Sequence, residues 1–323
     1  MTVLVTGAAG SVGSALVAEL LRRGEDVVAA VRPGGRALRV TDPRLRVVAL
    51  DLPDLDALAA VPAPRVVFHA GAAVAPALAA DPARCERVNT EGTRRLAAWA
   101  HARGSRFVFV SSIAAMGFYD APGGVDEAAA CRPVTAYGRS KLAGEQAIAA
   151  LMERGLHAAI LRPPTLYGPD DHYNFLALVR AIARRYFVLI GGGANRMPIL
   201  AVDNLVAALL AVDASGATGV LLAADDDATT VRDIAVAIAR GLGRSGFVPR
   251  IPIWAARAAA ALLEPLCGAI GVTPPLGRSR VRTLTVDFGF RLDKLRAAGY
   301  HPVTSTGAGV ANTVAAYARQ GLL

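Results

Sequence analysis

A chain of 323 residues with a hydrophobic share of 54% carries enough apolar side chain to bury a large core, as one α/β domain or a domain with a smaller lobe. Its three cysteines, Cys85, Cys131 and Cys267, are odd in number, widely separated and free of any C-x-x-C spacing, which argues against a disulfide framework or a zinc site and fits a reducing cytoplasm. The net charge of +9 comes mostly from scattered arginines without interleaved aromatics, so it points to a solvated surface with an anionic cofactor pocket rather than to a nucleic-acid groove.

The opening MTVLVTG runs straight into a strand pattern with no charged leader, so no signal peptide is expected. Short β-branched runs then alternate with longer Ala/Leu-rich amphipathic segments: TVLVT before SALVAELLRR, then DVVAAV, RLRVVAL, RVVFHA before CERVNTEGTRRLAAWAHAR, RFVFVS, and HAAILRP after a further helix. Five- and six-residue strands alternating with helices predict parallel βαβ units, hence a Rossmann-type doubly wound parallel sheet over residues 1–168. Beyond residue 168 the rhythm breaks into GPDDHYNF, a helical LALVRAIARR, the turn GGGANR and a Pro-rich VTPPLG, which predicts a smaller C-terminal substrate-binding lobe over 169–323. A strand near 219–225 and a helix near 230–242 are expected to return to the first domain. The most apolar stretch, WAARAAAALLEPLCGAIGV, is interrupted by Arg257, Glu264 and Pro265, so no transmembrane span is expected.

The first strand ends in TGAAGSVG, which places Gly7, Gly10 and Gly13 three apart just ahead of an amphipathic helix. Glycine allows the sharp reversal, lets a pyrophosphate approach the main chain, and lets helix and strand pack closely. The helix N-terminus then offers unpaired N–H groups and a partial positive charge to the anion. Thr6, Gly7, Gly10, Ser11, Val12 and Gly13 are therefore expected to bind a dinucleotide. The second strand ends in VVAAVRPGG, with Val31 where an acid for a ribose 2′-hydroxyl would fall and Arg32 beside it. A base in place of the acid favours NADP(H) over NAD(H).

Residues 135–141 read TAYGRSK, which puts Tyr137 and Lys141 on one face of a helix. With the motifs above, this resembles the extended short-chain dehydrogenase/reductase family. TGAAGSVG is similar to its nucleotide turn, Asp51 and Leu52 to its adenine-contacting pair, HAGAA with His69, Ala70 and Gly71 to its fourth-strand motif, and Asn89-Thr-Glu-Gly92-Thr93 to its Asn-x-x-Gly-Thr motif. FVFVSSIAAMG supplies a serine pair, of which Ser112, 25 residues before Tyr137, has the family's spacing. The resemblance implies catalysis by Ser112, Tyr137 and Lys141. It also implies cofactor contacts at Asp51, Leu52, His69, Ala70, Gly71, Asn89, Tyr137, Lys141, Pro163 and Pro164, and substrate contacts at Ser112, Ala114, Thr165 and Arg196. The C-terminal third resembles the 3β-hydroxysteroid dehydrogenase and sterol-dehydrogenase-like branch, through AVDNLVAALLA, PPLGRSRVR and FRLDKLRAAGYHP.

A free tyrosine titrates near 10, and a lysine cation on the same face is expected to lower that value toward a useful acid/base. Ser112 is expected to hydrogen-bond the substrate oxygen as charge develops. The apolar lobe predicts a small apolar carbonyl or alcohol substrate, such as a steroid, terpenoid or aromatic polyketide, and an NADP(H)-dependent oxidoreductase. The alternatives are a sugar-nucleotide epimerase or dehydratase with retained NAD, which Thr165 in RPPTLYGP weakens by standing where an Asn is usual and which Arg196 keeps open by falling where those enzymes keep a diphosphate-binding Arg, and a non-catalytic NADP(H) sensor. The resemblance further implies a homodimer through the helix at 89–102 and the one carrying TAYGRSK.

Overall fold

Along β1 (Thr2–Thr6) the side chains divide between two apolar layers, Val3 and Val5 on one side and Leu4 on the other. β2 (Asp26–Val31) repeats this, with Val27 and Ala29 opposite to Val28 and Ala30. A strand buried on both faces reads as an unbroken apolar run instead of an alternating one, which is why these segments look alike in sequence. The structure is a computed structural model and describes residues 2–74, 81–118, 120–226, 228–269 and 277–323.

The main sheet also contains β3 (Leu45–Ala49), β4 (Val66–His69), β5 (Arg106–Val110), β7 (Ala158–Arg162) and β11 (Gly219–Leu222). All its pairings are parallel, in the order β11-β7-β5-β4-β1-β2-β3. Helices Ser11–Arg22 and Val202–Ser215 cover one face; Thr93–Ala102 and Ala136–Met152 cover the other. The chain runs outward from β1 through β2 to β3, then crosses back to β4, so the topological switch point lies between β1 and β4, where open α/β sheets bind ligands. The expected Rossmann-type doubly wound sheet is thus borne out.

Among the described residues three two-stranded ladders stand apart from it: β6 (Ala121–Val125) with β13 (Phe288–Phe290), β8 (Thr165–Tyr167) with β10 (Ile199–Ala201), and β9 (Leu189–Ile190) with β12 (Arg250–Ile251). A separate core gathers Tyr167, Phe175, Val179, Ile238, Val310 and Tyr317. The helix Val231–Gly241, held at its start by a capping box between Thr230 and Asp233, packs in that core against the helix Thr306–Arg319. The helix Ile253–Ala269 takes up most of the long apolar stretch. Residues 270–272 of that stretch, and VTPPLG except Gly277, lie outside the described residues. Among the described residues no helix is long and apolar enough to cross a membrane.

Candidate active site

At the switch point the loop after β1 presses against the loop after β4. Gly7 sits at φ +67°, and a Cβ there would lie 2.6 Å from Gly71 Cα. A Cβ on Gly13 would come within 2.2 Å of the Gly7 carbonyl oxygen, so both positions require glycine. The helix Ser11–Arg22 begins after Gly10 with no side-chain cap, which leaves the first-turn N–H groups of Ser11, Val12 and Gly13 facing outward from the helix end.

A cleft of about 690 Å³ opens here, lined by Thr6, Gly7, Gly10, Val31, Arg32, Arg36, Asp51, Leu52, Ala70 and Gly71 among others. A glycine-walled cradle beside an uncapped helix start, with arginines along one edge, fits a dinucleotide phosphate backbone. Asp51 is engaged by Arg84, with Nη2 3.3 Å from Oδ2. Arg36 and Arg84 line the same cleft, and no local motif singles them out.

His69 is wholly buried and burial pushes its pKa down to about 3, so the ring is neutral. Thr93 Oγ1 donates to the Asn89 carbonyl at 2.7 Å, so its remaining role toward His69 Nε2, 2.9 Å away, is to accept. Nδ1 therefore accepts from Thr6 Oγ1 at 2.6 Å. His69 is a fixed spacer stacked on Phe109, not a base. Asn89 lies in a π-helical turn, Arg87–Gly92, and clamps Ala73 through both its main-chain N–H and C=O while donating to Ser140 Oγ at 3.1 Å. It thus ties the loop after β4 to the helix that carries TAYGRSK.

That helix, Ala136–Met152, starts under the cap of Thr135, whose Oγ1 accepts from Gly138 N at 3.0 Å. Gly138 is required because a Cβ there would lie 2.2 Å from the Ala114 carbonyl oxygen. This close approach brings the helix start onto the 3₁₀ turn Ile113–Ala115 and places Tyr137 against Ser112. Ser112 Oγ accepts from Ala114 N at 3.2 Å and lies beside the Tyr137 phenol, whose ionised form it favours. Ile113 N donates to the Pro163 carbonyl at 2.9 Å, which joins this turn to the end of β7, with Pro164 and Thr165 following at the start of β8.

Lys141 is buried, with its Nζ donating to the Val110 carbonyl at 2.8 Å and lying 4.4 Å from the centre of the Phe109 ring. Burial pulls its pKa down to about 7, against the opposing field of Glu145. Burial also pushes the Tyr137 phenol up to about 12, with the Ser112 hydrogen bond acting the other way. Contrary to the expectation, the tyrosine is raised and Lys141 is not among the groups acting on it; the Lys141 amine is directed at a main-chain carbonyl.

Behind the pair, Glu145 receives the Ser111 hydroxyl and Arg162 Nε and Nη2, the latter at 2.5 Å, while Arg162 Nη2 also reaches Cys131 Sγ at 3.2 Å. Arg196, a candidate diphosphate contact from its position, is held instead by Asp287, with Nε–Oδ1 at 3.0 Å and Nη2–Oδ2 at 2.8 Å, and by the carbonyls of Ala121 and Pro122. The β6/β13 ladder brings these partners to it.

Residues 3–220 match the family model described as the NAD dependent epimerase/dehydratase family. The chain is 36% identical over 256 residues to the 3-diazoavenalumate denitrifying reductase of a Streptomyces species, which covers 75% of this chain and 82% of that protein. It is 31% identical over 275 residues to the 4-hydroxy-2-methyl-3-oxo-4-farnesyl-3,4-dihydroquinoline-1-oxide ketoreductase of Stigmatella aurantiaca, covering 84% and 82%. Among solved structures, MoeE5 in complex with UDP-glucose and NAD superposes with a TM-score of 0.74 at 26% identity, covering 99% of both chains. The resemblance carried by the motifs is borne out, and the chain belongs to the NAD dependent epimerase/dehydratase family, the extended short-chain dehydrogenase/reductases, an enzyme family that binds nicotinamide cofactors.

Proposed function

We propose that the protein is an NADP(H)-dependent ketoreductase or secondary alcohol dehydrogenase that acts on an apolar cyclic substrate such as a steroid, terpenoid or aromatic polyketide. The observation that carries this reading is the packing of the Ala136–Met152 helix start on the 3₁₀ turn Ile113–Ala115, which sets Tyr137 beside Ser112, with Lys141 Nζ 2.8 Å from the Val110 carbonyl at the end of β5. Burial holds the Tyr137 phenol at about 12, so at neutral pH it is in the protonated form that a carbonyl reduction requires of its proton donor. The nicotinamide, when bound, supplies the hydride to the carbonyl carbon. Tyr137 gives its proton to the carbonyl oxygen, and Ser112 hydrogen-bonds that oxygen as charge builds. Lys141 holds the nicotinamide ribose, and Pro163 and Pro164 present backbone to the nicotinamide amide. Ala114 and Thr165 border the substrate.

Thr6, Gly7, Gly10, Ser11, Val12, Gly13, Asp51, Leu52, Ala70 and Gly71 hold the dinucleotide, with His69 and Asn89 fixing the loop behind it. The NADP(H) preference rests on Arg32 and Arg36 at the cleft edge beyond β2, with Val31 in place of an acid. The apolar cyclic substrate draws support from the ketoreductase relative, named for a farnesyl-bearing 3-oxo-dihydroquinoline oxide. A cytoplasmic homodimer paired through the helices Thr93–Ala102 and Ala136–Met152 completes the proposal.

The likeness to MoeE5 with UDP-glucose and NAD favours a second reading, a sugar-nucleotide epimerase or dehydratase. The engagement of Arg196 with Asp287 and the presence of Thr165 weigh against it. The test is NADPH consumption over a panel of apolar cyclic ketones, beside the ultraviolet spectrum of the protein as purified. Ketone-dependent oxidation supports the reductase; stoichiometric retained NAD with no ketone turnover supports the epimerase.

A further inference from the structure

A helix that is apolar on every side belongs in a core or against a partner. The helix Ile253–Ala269 turns Ala256 and Ala260 inward, to meet Ile190 and Val281, yet its outer side is also apolar. Trp254, Ala258, Leu262 and Leu266, spaced by four, are all exposed, Trp254 at 74% and Leu262 at 65%. Phe247, just upstream, is exposed at 79%. A run of large apolar side chains this extensive marks an interaction surface.

The charge around it has one sign. Residues 240–285 contain seven arginines and a single acid, Glu264. Arg257 is exposed on the helix itself and Arg250 just ahead of it. Arg278 and Arg282 are exposed on the helix Arg278–Thr285, which packs alongside, and Glu264 is paired with Arg278 at 3.2 Å. At 17 residues the helix is about 25 Å long and, carrying Arg257 and Glu264, does not span a bilayer. An apolar helix side with a tryptophan and flanking arginines fits the interface of an anionic membrane, where the side chains enter the acyl boundary and the guanidinium groups meet phosphate. We propose that this outer helix side docks the protein on an anionic lipid bilayer surface, with Trp254, Leu262 and Leu266 inserted and Arg257, Arg278 and Arg282 on headgroups.

The full chain is mixed with vesicles of phosphatidylcholine alone or of phosphatidylcholine with phosphatidylglycerol, and binding is read by cosedimentation. In a Trp99→Phe background Trp254 is the remaining tryptophan, so its emission reports insertion directly. Expected are cosedimentation with the anionic vesicles, a blue shift of Trp254, and weakening as salt rises. Arg257→Gln with Arg282→Gln lowers affinity about five-fold per arginine, and Leu262→Glu with Leu266→Glu lowers it more than ten-fold without changing the melting temperature or nucleotide binding. Absence of binding to the anionic vesicles overturns the proposal, as does undiminished binding by the Leu262→Glu, Leu266→Glu chain. A dimer dissociated by those two changes, with Trp254 emission unmoved by vesicles, also overturns it and assigns the face to a second copy.

Discussion

Lys141 Nζ donates to the main-chain carbonyl of Val110 at 2.8 Å, which fixes the ammonium at the end of β5 two residues ahead of Ser112. Its pKa of about 7 in the folded chain lies below the usual 10.5, because burial disfavours the charge. Between those values the unfolded chain binds a proton that the folded chain does not, so this group makes stability rise with pH across that window. Lys141→Met is expected to abolish a rise on the order of 2 kcal/mol between pH 7 and pH 9, read by urea denaturation of both chains. An equal rise in both would refute the assignment. The same substitution is expected to lower turnover by at least about 100-fold.

Removing the Ser112 hydroxyl takes away the acceptor for Ala114 N and the donor proposed for the substrate oxygen beside Tyr137. Ser112→Ala is expected to reduce kcat roughly 10²–10³-fold with little change in KM, as for loss of one donor to a developing oxyanion. Steady-state kinetics on any ketone that the wild type reduces is the check.

Glu145 is the sole carboxylate among the described residues that bonds the buried Arg162 guanidinium, and it also receives the Ser111 hydroxyl. Glu145→Ala leaves that guanidinium uncompensated, and a loss of about 3–5 kcal/mol is expected from the urea midpoint. A loss under 1 kcal/mol would show that the pair is not structurally important.

Gly138 faces the Ala114 carbonyl, where a Cβ would stand 2.2 Å away. In Gly138→Ala the helix start must lift, which carries Tyr137 away from Ser112. The expected result is a loss of kcat of about 100-fold with the fold retained, since a 1 Å misplacement has effects of that size. Circular dichroism and kinetics together separate this from unfolding.

Arg32 stands at the cleft edge just past β2. Arg32→Ala is expected to weaken NADPH by about 10-fold and leave NADH unchanged, from loss of one charge-assisted contact to a 2′-phosphate. Titration with each nucleotide measures it, and an unchanged preference would remove Arg32 from the site.

The parts of the site legible in the sequence are those set by spacing along one element. Gly7, Gly10 and Gly13 follow from a single turn, and Tyr137 with Lys141 from a single helix. Properties set by distant chain were not legible. Arg196 meets Asp287 only because β6 and β13, far apart in sequence, form a ladder. The rise of the Tyr137 pKa follows from burial by several elements, which no spacing encodes. CERVNTEGTRRLAAWAHAR reads only as an amphipathic segment, and nothing in that pattern marks the π-helical turn Arg87–Gly92 within it, where Asn89 bonds Ala73 and Gly92 lets Leu52 approach. Such turns recur at functional sites because the extra residue redirects side chains.

The most direct test of the account is ketone-dependent NADPH oxidation by the wild type and by Tyr137→Phe on the same apolar cyclic ketone. Tyr137 as proton donor predicts that the substitution lowers kcat by about 10²–10⁴-fold while NADPH binding and melting temperature hold; undiminished turnover by Tyr137→Phe would contradict it.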